Sequence, residues 1–298
     1  MLKTLRSAAA AVLAFASLPA CAQTAPAAVT DADPALWVVK DADTTVYLFG
    51  TVHVLKPGLS WFDEGVKAAF DGSDTLVSEL GDLDAAAAQQ LFAARGINPA
   101  GPTLSDKLPP DKRALVTKAL TDAGLPPQVY ERMDPWLATV ILTQLSFQKL
   151  GFSGENGAEA VLSAAAKAGG KQVAGLETLE QQVGFFDGLS QQAQVDMLVA
   201  GAEESAEIRA FVDQMVGHWS SGNAAGLARF MNDNLKDSPE LAKVLLTDRN
   251  KRWAAWISRR MEKPGTVFVA VGAGHLAGTG AVQEQLKAYK LNATRVKY

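Results

Sequence analysis

The stretch VFVAVGAGHLAG, Val267 to Gly278, decides how this chain is read. An apolar, β-branched run over 266–271 leads straight into Gly272, Gly274 and His275. That is the pattern of a buried strand ending at a turn. The glycines at 272, 274 and 278 give G-x-G-x-x-x-G, one residue longer than the dinucleotide fingerprint. Residues 279–298 suffice for one helix (279–290) and a short strand (292–298), with no acidic residue about 20 positions on to hold a ribose hydroxyl. A dinucleotide site is therefore set aside. The histidine, one of three in the chain, needs another reason.

Outward from this stretch the same device recurs. Gly50-Thr51-Val52-His53 follows the apolar run 45–49, so Gly-x-x-His stands after a strand near both ends of the chain. Two more strands are expected at 74–79 and 171–177, each ending on a carboxylate, Glu79 and Glu177. Residues 37–40 and 45–49 flank Asp41-Ala42-Asp43-Thr44 as a hairpin. Helical spacing marks 61–70, 84–95, 111–123, 156–167, 190–217, 222–235 and 238–262, and Asp134-Pro135 reads as the cap and first turn of a helix to 150. Strands separated by helices predict an α/β fold with a mainly parallel sheet. Helical insertions over 84–165 and 185–260 are expected to form a large lobe.

In such sheets ligands gather at the carboxyl ends of the strands. His53, Glu79, Glu177 and His275 are therefore expected at one cleft, with glycine letting the chain turn tightly beside each histidine. Two histidines and one or two carboxylates would suit a divalent transition metal or an acid–base pair. The plainer readings are a solvated strand end for Glu79 and the acidic opening of a helix for Glu177. His218, where a helix ends, is expected to cap or lie at the surface. No H-E-x-x-H, nucleophile elbow or Walker sequence occurs.

Lys3 and Arg6 precede an apolar run, 8–16, and small residues, the layout of a secretory signal over 1–22. Ala20-Cys21-Ala22 favours cleavage before Gln23, while Leu18-Pro19-Ala20-Cys21 resembles a lipoprotein box. The expected location is periplasmic or secreted, with a membrane involved only if Cys21 is lipidated. Residues 23–33 read as a disordered lead, and 34–298 as one α/β domain. Cys21 is the sole cysteine, which removes disulfide and thiol chemistry from the mature chain. The chain carries 28 basic and 32 acidic residues. With no Lys/Arg-rich run, nucleic-acid binding is not expected.

The paired Gly-x-x-His motifs, with GLETLEQQ and LLTDRNKRWAAWI between them, resemble the TraB/PrgY/GumN family, which includes the Tiki-type metalloproteases. The resemblance spans about Trp37 to Val296. It implies a split parallel α/β core related to erythromycin-esterase-like proteins. It also implies that His53, Glu79 and His275 share one site, reached by Arg249 of the DRN stretch from the helical lobe. The function so implied is an exported metal-dependent hydrolase, most of all a peptidase, acting on a peptide or small molecule. His53, His275 and Glu79 would hold Mn, Co or Zn. Glu79 alternatively activates water, and Arg249 stabilises the oxyanion. The chain is expected to depart from Tiki in lacking a transmembrane anchor. The alternatives are a non-catalytic metal- or ligand-binding protein, accessory to polysaccharide export, and a metal-free hydrolase with histidine as general base.

Overall fold

The computed structural model describes residues 29–205, 208–235 and 238–298. The signal segment, Cys21 and both processing sites lie outside them. At the centre is a six-stranded sheet: β1 (Leu36–Lys40), β2 (Thr44–Thr51), β3 (Thr75–Ser78), β4 (Gln172–Gly175), β5 (Gly265–Gly272) and β6 (Thr294–Arg295), in the order β4-β3-β5-β2-β1-β6. β4, β3, β5 and β2 run parallel to one another. The β1–β2 hairpin and β6 add antiparallel pairs at one edge, so the sheet is mixed. A second sheet of two short parallel strands pairs Thr30–Asp31 with Leu59–Ser60. Two-residue strands carry no alternation that a sequence could reveal.

The hairpin turn is built by Asp41, whose carboxylate accepts from the N–H groups of Asp43 and Thr44 at 3.1 and 2.8 Å. Such a side chain closes a turn by imitating a backbone carbonyl. β5 is buried on both faces from Val267 to Val271, as its unbroken apolar run requires of a central parallel strand. Alternation then sorts the core. Phe49, Leu76, Phe268 and Ala270 face one way, against Trp61, Phe70, Leu162 and Trp219. Val46, Leu48, Val77, Val267 and Val269 face the other way, against Trp253, Ala254 and Ile257 of the Asp248–Arg260 helix. A third core is purely helical, with Leu120, Trp136, Leu142, Val183 and Leu198 at its heart.

Two helix details differ from the sequence reading. Asp134 holds the N-cap position and Pro135 the first turn, but the Asp134 side chain makes no capping hydrogen bond and pairs with Lys107 instead. The stretch 190–217 is two helices, Gln191–Glu204 and Ile208–Ser220. Before Asp248 the chain is wound as a π-helix over Ala242–Thr247, a rare form found mostly as short pieces beside functional sites.

Candidate active site

β2, β3 and β5 lie side by side and parallel, so their carboxyl ends bring Gly50–His53, Glu79 and Gly272–His275 together. β4 adds Glu177 beside Glu79, where the N–H of Glu177 donates to the carbonyl of Glu79. Arg249, in the first turn of the Asp248–Arg260 helix, reaches the same point from above the sheet. All five residues singled out in the sequence thus meet at one sheet edge.

Arg249 is the hub. Its Nε donates to both oxygens of Glu177 at 3.0 and 3.1 Å. Nη2 donates to Glu79 at 2.5 Å and Glu177 at 2.7 Å. Nη1 donates to the Leu245 carbonyl at 3.3 Å, a group presented by the π-turn, and meets His275 Nε2 at 3.1 Å. A guanidinium has five N–H donors and each has an acceptor here. Arg249 therefore has no donor left for a developing oxyanion in this arrangement. Its work is to tie Glu79, Glu177 and His275 together.

His275 is buried, its ring tilted on Trp253 at 4.3 Å between centroids. Asn250 gives its amide N–H to the Gly280 carbonyl at 2.9 Å, which turns its oxygen to His275 Nδ1 at 2.6 Å. Nδ1 therefore carries the proton and Nε2 presents its lone pair to Arg249. Burial pushes the His275 pKa down to about 3, so the ring is neutral. Burial also opposes ionisation of Glu79, but Arg249 and the two histidines outweigh it and hold its pKa at about 2. The Gly272 N–H, 2.8 Å from Glu79, adds to this. A carboxylate so weakly basic takes up a proton from water poorly.

His53 is the opposite case. It lies in the loop after β2 with its side chain 70% exposed, and its Nδ1 is 2.6 Å from Glu159. Glu159 also accepts from the Thr51 hydroxyl at 2.5 Å, while its second oxygen is buried with no hydrogen-bond partner among the described residues. The Glu159 charge lifts the His53 pKa to about 9. Burial works against Glu159 itself, yet His53 keeps its carboxyl below the ordinary range.

The two Gly-x-x-His motifs are therefore not one device twice. His275 stands in a 3-10 turn, Ala273–Leu276, whereas His53 is in open loop. Nor do the glycines serve as left-handed turns: Gly272 has φ −49° and ψ 134°, and Gly50 lies within β2 without a positive φ. They are there for space. A Cβ on Gly50 would come within 3.0 Å of Ala273 Cα. A Cβ on Gly272 would stand 3.3 Å from Glu79 Oε1, 3.6 Å from the His275 ring and 3.8 Å from His53 Nε2. One methyl-sized volume thus borders both histidines and Glu79.

The expected metal fits this arrangement poorly. No group of three or more His, Cys, Asp or Glu among the described residues is arranged to hold a metal ion. The reason is physical: the Arg249 cation fills the space between Glu79, Glu177 and the His275 lone pair.

Three participants escape the sequence reading. Glu159 opens the Ala158–Ala168 helix, docked where Ala158 N–H donates to the Val52 carbonyl at 3.0 Å. The only signal was Gly157, whose missing Cβ would lie 2.1 Å from the His53 carbonyl. Gln182, in the GLETLEQQ stretch, bridges Glu79 and Glu177 at 2.9 and 3.2 Å. Asn250 is the neighbour of Arg249 in DRN. His218 stands apart, near the end of the Ile208–Ser220 helix, its carbonyl accepting from Asn223.

The TraB/PrgY/GumN family model matches residues 35–295. The chain belongs to the TraB/PrgY/GumN family. An uncharacterized protein of Treponema pallidum is 23% identical over 286 residues, covering 89% of this chain and 84% of its own length. The uncharacterized protein YbaP of Escherichia coli is 24% identical over 267 residues, 85% of this chain and 92% of that protein. YbaP of Shigella flexneri matches to the same extent. No solved structure matches.

Proposed function

We propose that this protein is an exported hydrolase of carboxylic acyl compounds, a peptide or small ester, working by acid–base chemistry at His53. The observation that carries this reading is the Glu159–His53 pair, with Nδ1 held at 2.6 Å and the ring edge bearing Nε2 bordering the volume beside Gly272. With its pKa raised to about 9, His53 is the base only in its neutral form, so turnover should climb as pH rises towards 9. In that form it takes a proton from water as that water attacks the substrate carbonyl. The imidazolium so formed is stabilised by Glu159, and it returns the proton to the leaving amine or alcohol. Glu79, His275 and Arg249 shape and polarise the opposite wall. The resemblance to Tiki proteins would have a metal polarise the carbonyl instead, a role the Arg249 arrangement opposes. The split, erythromycin-esterase-like core belongs to this same proposal, as does export with cleavage before Gln23, or alternatively a Cys21 lipid anchor. No helix among the described residues is long and apolar enough to cross a membrane.

The test is hydrolysis of a mixed peptide and ester library by chelator-stripped protein. Activity lost in His53→Ala and kept in His218→Ala is expected. Activity restored to stripped protein only by a divalent metal would overturn the acid–base reading.

A second reading, a periplasmic binding protein, draws support from His53 itself. A pKa of about 9 leaves it cationic at neutral pH, suited to an anionic ligand. Binding of a carboxylate ligand without turnover, lost in His53→Ala, would favour it.

A further inference from the structure

Three acceptors converge on one guanidinium: Glu79 Oε2 and Glu177 Oε2 on Nη2 at 2.5 and 2.7 Å, and His275 Nε2 on Nη1 at 3.1 Å. Two carboxylates and an imidazole lone pair are a ligand set for a divalent transition metal. The supporting shell of such a site is already built. Asn250 fixes the proton on His275 Nδ1, which leaves Nε2 free to ligate, and metal-binding histidines need that kind of partner. Trp253, 4.7 Å from the guanidinium carbon, and Phe185, at 5.4 Å, wall the position with aromatic surface. We propose that Arg249 is the resident cation of this site, standing where a divalent transition metal would bind among Glu79, Glu177 and His275, so that removing it turns the site into a metal site.

The charge balance favours this exchange. Without Arg249, two buried carboxylates, 12% and 2% exposed in their side chains, face each other beside a neutral histidine. Two cations remain nearby: Arg252, 3.6 Å from Glu177 and half exposed, and His53, which is already paired with Glu159 at 2.6 Å. A divalent ion would restore neutrality there. It needs donor distances of about 2.0–2.2 Å, reached if the donors that now surround a flat guanidinium close in on a smaller ion.

Cobalt(II) is the probe, because its absorption reports the ligand field directly. Wild type, Arg249→Ala, Arg249→Lys and Arg249→Ala/His275→Ala are stripped with chelator and titrated. Arg249→Ala should take up one equivalent with a Kd at least about 100-fold tighter than wild type. Its melting temperature should rise by about 5 °C or more at metal about 100-fold above Kd. Arg249→Lys keeps a cation in place and should bind as weakly as wild type, as should the double variant, which loses its nitrogen ligand. Tight stoichiometric binding by stripped wild type overturns the proposal, and so does an Arg249→Ala protein that binds no better than wild type. If Arg249→Ala folds only when cobalt is supplied, that supports it. If it folds under neither condition, Arg249→Gln carries the same measurement and the same refuting result. The readout is binding alone, so it is decided separately from whether the protein hydrolyses anything.

Discussion

Gly272→Ala should separate the stability of the sheet from the use of the site. With φ −49° and ψ 134°, alanine is conformationally allowed at this strand end. Restricting the unfolded chain then stabilises by about 0.4–1 kcal/mol. Against this, the new methyl stands 3.3 Å from Glu79 Oε1, and that carboxylate must give by a few tenths of an ångström. A side chain pushed off its rotamer costs about 0.5–1.5 kcal/mol. The two effects nearly cancel, and urea unfolding should place the variant within about 1 kcal/mol of wild type. The site fares differently. The methyl takes the volume that borders His53 Nε2 at 3.8 Å and the His275 ring at 3.6 Å, where the substrate carbonyl must lie. Misplacement of reacting groups by about 1 Å costs about 100-fold in rate, so kcat/KM should fall by that factor or more. Gly50→Ala is the contrast. Its Cβ meets the Ala273 backbone at 3.0 Å, which cannot swing aside, and overpacking of this kind costs about 1–3 kcal/mol. A Gly272→Ala protein with activity within about threefold of wild type would refute the assignment of that volume to the reaction.

Two further outcomes rest on the same contacts. Because the folded pKa of His275 is depressed to about 3, the unfolded chain binds a proton there that the native state does not. Stability should fall as pH drops from about 6.5 towards 3, with this residue contributing on the order of 4 kcal/mol, and His275→Asn should flatten the slope over that window in denaturant melts at successive pH values. Gly157→Ala should destabilise far more than Gly50→Ala, because its Cβ would lie 2.1 Å from the His53 carbonyl. Thermal melts check this, and an unchanged melting temperature would mean the Ala158–Ala168 helix does not dock on the His53 loop as described.

The sheet was legible in sequence wherever strands were long and buried. The runs around Phe49, Val77 and Val269 show continuous apolar or alternating residues because each is packed on both faces. The antiparallel edge at β6 was legible only as a short terminal strand, since two exposed residues carry no pattern. His53, Glu79, Glu177 and His275 could be read because strand ends in a parallel sheet must converge, whereas Arg249, on a helix, was legible only through the family resemblance of the DRN stretch. Their division of labour could not be read. Burial of His275 and exposure of His53 depend on which helices cover each loop, and nothing in Gly-x-x-His encodes that. Glu159 was missed for the same reason: it reaches the site from a helix packed on the sheet, not from a strand end.

The pairing of His53 with Glu159 carries the functional reading, and an NMR titration of the three imidazoles tests it without a substrate. The account predicts that His53 titrates near 9, displaced upward by the Glu159 carboxylate, and moves down towards the ordinary histidine value of 6.5 in Glu159→Gln. Resonances of His275 should stay those of a neutral, Nδ1-protonated ring until the pH approaches about 3. A His53 resonance titrating near 6.5 in the wild type, and unmoved by Glu159→Gln, would contradict the account.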